Sequence, residues 1–218
     1  KPKCATTFEH IFQKQTNPDD MLTVRDVIAD PRTTGVTPAA MDDEHLNLLR
    51  EFIKKFMDES AKAFPAKRQE ALLLDIAPQD HSGAVAFEQN GYTRETADID
   101  PNSGATYIAD ITKCNSAVLP DNKFDAVVCT EVLEHTEQPF LAIKELCRVL
   151  RPGGSLFLSV PCNFRIHGPL PDGWRFTEHG VRHLCQSSGL KIIRFWALET
   201  PGRPLFPIDY AVVAEKPM

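Results

Sequence analysis

Phe124-Asp125-Ala126-Val127-Val128-Cys129-Thr130 runs directly into Glu131-Val132-Leu133-Glu134-His135, and this junction decides how the rest of the chain is read. The first seven residues form a short, mostly apolar strand. The polar residues that follow then stand beyond its carboxyl end. Downstream, Pro139–Leu150 reads as a helix, and Arg151-Pro152-Gly153-Gly154 ends it and turns the chain into a further strand, Ser155–Val160. Upstream, Ala71–Ala77 is a continuous apolar run of the kind buried on both faces of a sheet.

Further strands are expected at Thr93–Ile99, Thr106–Ala109, Lys191–Leu198 and Asp209–Ala214, with helices at Gly83–Asn90 and Thr177–Ser188. Alternating strands and helices imply a parallel sheet covered on both faces. A proline-rich bend (Pro201, Pro204, Pro207) before the final strand suits an antiparallel closure. The expected fold class is α/β: a Rossmann-like, doubly wound, mostly parallel seven-stranded sheet with an antiparallel last strand. Residues 1–65 read as an N-terminal helical extension, and 66–218 as the main domain. Within the extension, Thr37-Pro38 opens a helix whose stripe Leu46, Leu49, Ile53, Phe56 runs to Pro65. One or two short helices are expected among the turn-prone residues before it.

The 218 residues are 42% hydrophobic and 25% charged, which is ordinary globular composition. A formal net charge of −6 argues against a nucleic-acid partner. No apolar run is long enough to span a bilayer, and Lys1-Pro2-Lys3-Cys4 lacks an initiator Met and a hydrophobic signal core. The six cysteines form no C-x-x-C pair, so they read as reduced thiols in a cytoplasmic protein. No metal site is expected, because His179 and His183, at i and i+4, lack a third ligand.

Ligands of open α/β sheets bind beyond the carboxyl ends of the strands. Those ends carry Asp75, then Asp98 and Asp100, then Asp110, then Thr130, Glu131 and His135. An acidic side chain after the second strand can accept from both ribose hydroxyls, and one after the third from an adenine amino group. Each Asp alone is as well suited to shaping a turn, as in Asp100-Pro101-Asn102.

The two blocks from Phe124 to His135 and from Glu145 to Gly154 closely resemble those of class I S-adenosylmethionine-dependent methyltransferases of the type 11 group. The resemblance covers residues 70 to about 190. It implies methyl transfer with S-adenosylmethionine as cofactor. It places Asp75, Ala77, Gln79 and His81 at the first cofactor motif, Asp98 and Asp100 at the second, and Asp110 and Ile111 at the third. Thr130 and Glu131, at the end of the fourth strand, are counted with them as cofactor contacts. One departure stands out, because the family's first motif is D-x-G-x-G-x-G and its glycine positions here hold Ala77, Gln79 and His81. Either the loop takes another path, with Gln79 or His81 touching the cofactor, or the site is weakened.

The long segment Val160–Thr177 carries His167, Asp172, Trp174, Arg165 and Arg175 among prolines and glycines. It resembles a stretch in type 11 enzymes associated with sugar or polysaccharide modification, which implies a small-molecule or glycan acceptor. His135 and His167 are the candidates for removing the acceptor's proton, with Asp172 assisting. Trp174 suits a sugar face, and Arg165 and Arg175 an anionic group. A catalytically silent cofactor-binding domain is the alternative. A nicotinamide dehydrogenase is disfavoured by the absent G-x-G-x-x-G. The oligomeric state is not legible.

Overall fold

The computed structural model describes residues 38–78 and 83–218, with side chains from residue 44 onward. The short helices expected before residue 37 lie outside the described residues. One compact unit spans Glu44–Met218 and holds the sheet and both clefts described below.

In chain order the elements are helix α1 (Pro38–Ala63), strand β1 (Ala71–Ile76), helix α2 (Val85–Glu88), β2 (Tyr92–Asp98), β3 (Tyr107–Ile108) and β4 (Phe124–Thr130). After a 3-10 turn (Leu133–His135) come α3 (Pro139–Val149), β5 (Leu150–Pro161), α4 (Glu178–Ser187), β6 (Lys191–Thr200) and β7 (Arg203–Glu215). The seven strands form one sheet in the order β3-β2-β1-β4-β5-β7-β6. β1, β2, β3, β4 and β5 pair in parallel, and β7 runs antiparallel to both β5 and β6. The expected architecture is the observed one.

Successive residues of the central strands serve opposite faces of the sheet. Leu74, Val127, Cys129, Leu156, Leu158 and Val212 face α3 and α4, joining Ile143, Leu146, Val181 and Leu184. Leu73, Ala126, Val128, Phe157 and Val213 face the other way, against Leu49, Ile53, Phe56 and Met57 of α1 and Phe87 of α2. Burial on both faces is why β1 and β4 read as apolar runs instead of alternating. The apolar stripe of α1 therefore belongs to the same core as the sheet. Gly83, at φ +70°, lets α2 approach α1 so closely that a Cβ there would sit 2.8 Å from Met57.

Several elements differ from the sequence expectation in extent. α2 is a single turn and β3 a two-residue bridge, because a short surface connection gives neither a long apolar face to bury. β5 begins at Leu150, four residues ahead of Gly154. Its register against β4 jumps between the Phe124–Leu150 and Ala126–Ser155 pairs, so Arg151–Gly154 bulge from the ladder and do not end a helix outside it. Gly153, at φ +76°, makes that bulge possible and donates to the Lys216 carbonyl at 2.7 Å. The turn before β7 is confined to Pro201-Gly202, while Pro204 and Pro207 sit inside β7.

The block from Glu145 to Arg148 is structural. Arg148 holds Glu145 at 2.7 Å, the Leu119 carbonyl at 2.8 Å, and Asp121. Glu145 in turn accepts the Asn115 N–H at 2.9 Å, tying α3 to the loop that leads into β4. On the other sheet face, the fully buried Phe157 packs against Phe87 and Phe64 at centroid distances of 4.6 and 5.7 Å. Phe157→Ala should cost about 3–5 kcal/mol in urea unfolding, against about 0.5 kcal/mol or less for Val118→Ala on the surface. Equal costs would show that this face is not the core described.

Candidate active site

Two clefts open at the carboxyl ends of the parallel strands and meet at Ala77, Glu131 and His135, which line both. The larger encloses about 570 Å³. Asp98, Ile99, Asp110, Ile111 and Val132 are among its walls. Ile99 is 67% exposed there although its side chain is apolar. The set fits an adenosyl group: apolar slabs for a flat base and a carboxylate at the end of β2 for ribose hydroxyls. Asp98 accepts the Asp100 N–H at 2.8 Å, and Asp100 accepts that of Asn102 at 2.8 Å. Asp98 thus stands at the cleft while Asp100 shapes the turn behind it. Asp110 accepts the Thr112 hydroxyl at 2.6 Å and pairs with Lys113 at 2.9 Å. Asp75 lines neither cleft; it is buried and meets Arg94 at 3.4 Å. Gln79 and His81 lie outside the described residues.

Ala77 stands where the family has its first glycine and adopts φ +48°, the left-handed conformation a glycine would take. Its N–H reaches the Ala97 carbonyl at 2.7 Å, fastening the end of β1 to β2. Alanine thus holds a left-handed backbone at this position in spite of its Cβ. Glu131 is a second non-glycine residue with left-handed backbone, at φ +55°. Its buried carboxylate accepts the Ser159 hydroxyl at 2.7 Å. Burial, reinforced by Glu134, pushes the Glu131 carboxyl up to about 8. Burial and then Glu131 push Asp209, on β7, well above the carboxylate range.

The smaller cleft, of about 360 Å³, is lined by Leu46, Leu49, Arg50 and Ile53 of α1 and by Thr130, Phe164, Arg165 and His167. Its far wall is the Val160–Thr177 loop. Arg175 donates to both oxygens of Asp172, at 2.5 and 2.8 Å, and to the carbonyls of Phe164 and Arg165 at 3.0 and 2.7 Å. Arg175 is thus a loop staple instead of an anion receptor. Asp172 also accepts the His167 N–H at 2.8 Å, so its place is behind His167 and away from the acceptor space. Trp174 donates its indole N–H to the Thr136 carbonyl at 2.9 Å, and the Gly173 N–H reaches the Glu134 carbonyl at 2.8 Å. The loop is pinned onto the 3-10 turn.

That docking brings His167 to His135, ring centroids 4.9 Å apart, over the fully buried Glu134. Glu134, then the Arg165 carbonyl and then Asp172 hold the His167 imidazole above its ordinary range, against the effect of burial. His179 and His183 lie on α4, and neither lines the clefts. Sequence reasoning assigned no role to Glu134, Asp209, Ser159 or the α1 wall. Asp209 left a signal, a lone carboxylate in the apolar run Ile208–Ala214.

Arg175 holds the Asp172 carboxyl down at about 2. The pair's contribution is therefore present above the ordinary carboxylate value and is lost as pH falls through about 2. In a Trp196→Phe background, Trp174 fluorescence should report release of the loop in that acid range, before global unfolding. Asp172→Asn should abolish this separate step; a step that persists in Asp172→Asn would assign it to another group.

The chain is similar to known proteins in sequence and in fold. The family described as "Methyltransferase domain" matches residues 48–194. The ubiquinone biosynthesis O-methyltransferase of Xanthomonas oryzae pv. oryzae is 56% identical over 36 residues, 16% of this chain and 15% of that protein. The protein of the same name from Proteus mirabilis is 35% identical over 54 residues, 25% of this chain and 22% of its own length. The similarity to these relatives thus spans under a quarter of their length. Among solved structures, the cyclase SpnF aligns with a TM-score of 0.59 at 14% identity, over 76% of this chain and 82% of its own. The 1,6-didemethyltoxoflavin-N1-methyltransferase of Burkholderia thailandensis aligns at 0.52 and 17% identity, over 84% and 93%. Such identities establish a shared fold. With the family match across most of the sheet, the chain belongs to the methyltransferase-domain family of S-adenosylmethionine-dependent enzymes.

Proposed function

We propose that this chain transfers a methyl group from S-adenosylmethionine to a hydroxyl oxygen of a small ring-bearing acceptor, a saccharide being the first class to test. The observation that carries this reading is the meeting of two clefts at Ala77, Glu131 and His135. One has the size and lining for an adenosyl group. The other is an apolar-walled space edged by two arginines and two histidines. Methyl transfer is an in-line displacement, so donor and acceptor must enter from opposite sides of one point. The junction supplies such a point.

In this reading Asp98 holds the ribose and the Ile99, Ile111 and Val132 walls enclose the base. The group formed by His135, His167 and Glu134 faces the acceptor oxygen and handles its proton. Asp172 keeps His167 in place. Phe164 and the α1 leucines suit the apolar face of a sugar or phenol ring. The relatives named for ubiquinone biosynthesis make a phenol the second acceptor class to assay. The alternative of cofactor binding without turnover draws on Ala77, whose methyl group stands where the family has bare backbone. A product assay with both acceptor classes, run beside calorimetry with S-adenosylhomocysteine, separates the two readings. Binding without product under either class would favour the silent domain.

Asp98→Ala should weaken S-adenosylhomocysteine binding about tenfold or more, the worth of one hydrogen bond to a charged group. Affinity within about twofold of the parent, well short of such a bond, would remove the ribose assignment. His167→Ala should lower turnover about 100-fold, within the range for lost proton transfer, and leave cofactor affinity nearly unchanged. Unchanged turnover would take His167 out of the reaction.

A further inference from the structure

Glu134 presents an electrostatic problem that the protein atoms around it do not solve. Its side chain is fully buried, and among the described residues both carboxylate oxygens lack a hydrogen-bond partner. The two nearest histidine nitrogens, His135 Nε2 and His167 Nε2, stand 3.7 and 3.6 Å from Glu134 Oε1. Those separations exceed the ~2.7–2.9 Å of a charge-assisted N–H···O bond.

The opposite ring nitrogens are occupied. His135 Nδ1 faces the Pro171 carbonyl at 3.1 Å. His167 Nδ1 lies 3.1 Å from Asp172 Oδ2 and 3.3 Å from the Arg165 carbonyl. With oxygen acceptors at each Nδ1, the neutral tautomer that donates there presents its Nε2 lone pair toward the carboxylate. Three lone-pair donors thus converge with their ligand atoms within 4.8 Å of one another. A cation placed among them bonds to all three at once, which a single proton on His167 does not.

We infer that Glu134, His135 and His167 form a binding site for a divalent transition-metal ion at the junction of the two clefts. Two imidazole nitrogens and one carboxylate oxygen suit such ions and leave coordination positions open, as catalytic sites do. Tetrahedral bonds of ~2.1 Å set ligand atoms about 3.4 Å apart, slightly less than the 3.7 and 3.6 Å from Glu134 Oε1 to the two histidine nitrogens. The carbonyl and carboxylate on the Nδ1 atoms are the outer partners that fix metal-binding histidines. His135 lines both clefts and His167 the smaller one, so the open positions face the acceptor. The use of the ion rests on the methyltransferase reading; its binding does not. An acceptor hydroxyl coordinated there loses its proton to solvent more readily. Its oxygen lone pair then forms the O–C bond as the C–S bond breaks, the C–S electron pair returning to sulfur.

Co2+ titrated into chelator-stripped full-length protein, followed by visible absorption, tests the site. The expected result is one Co2+ per chain, with d–d bands of a nitrogen-ligated ion of low coordination number. Glu134→Gln and His167→Ala should each weaken binding about 10-fold or more, the scale seen for disturbed metal sites. His183→Ala, which breaks the i, i+4 pair on α4, should not change it. S-adenosylhomocysteine calorimetry on the same samples shows whether the fold and cofactor cleft are intact. No Co2+ uptake by protein that binds S-adenosylhomocysteine would overturn the metal site alone. Uptake that neither Glu134→Gln nor His167→Ala weakens would overturn it equally. Co2+ uptake without S-adenosylhomocysteine binding would instead remove the cofactor reading and keep the site.

Discussion

Arg175 gathers a loop that has little secondary structure of its own. By donating to both oxygens of Asp172 and to two backbone carbonyls, it folds residues 164–175 back on themselves. A bidentate guanidinium–carboxylate contact is among the strongest and most directional that a loop can use. From it the rest of the site follows. Asp172 fixes the His167 backbone, His167 lies over Glu134, and the far wall of the smaller cleft is set. The two arginines of this loop thus differ in function: Arg165 lines the cleft, while Arg175 holds the loop together.

Strain accompanies this order. Ala77 and Glu131, the residues where the clefts meet, both hold a left-handed backbone that L-residues adopt at a cost of about 1–2 kcal/mol each. Such conformations persist where the surroundings over-determine them, and they cluster at sites that must be rigid. Here the surroundings are the central strands: Ala77 is fastened to β2, and Glu131 to Ser159 of β5. The sheet holds the junction in a conformation the isolated turns would leave.

The sheet and the edge that bears the clefts were legible in the sequence because both rest on local rules. Strands buried on two faces must be apolar runs, and parallel connections deliver their carboxyl ends to one side. That logic located Asp98, Asp110, Thr130, Glu131 and His135 at the clefts. It failed where a role depends on partners distant in sequence. Asp75 looks like any strand-end carboxylate until Arg94 is seen beside it. Glu134 was visible as a letter in a motif, but its burial depends on a loop that returns some 40 residues later. The α1 stripe announced a buried face without saying that its first turns would wall a cleft. Arg151–Gly154 reads equally well as a helix stop or a bulge, and only pairing with β4 distinguishes them.

The order of the last strands bears on assembly. Among the described residues, β6 has no neighbour in the sheet except β7, which is itself wedged between β5 and β6 and runs against both. The later strand is therefore the keystone of its half of the sheet. Until residues 203–215 slot into place, the β5 edge lies open and β6 has no ladder to join. A chain carrying everything up to Thr200 would therefore leave the β5 edge unpaired, and an open apolar strand edge is a template for pairing with other chains.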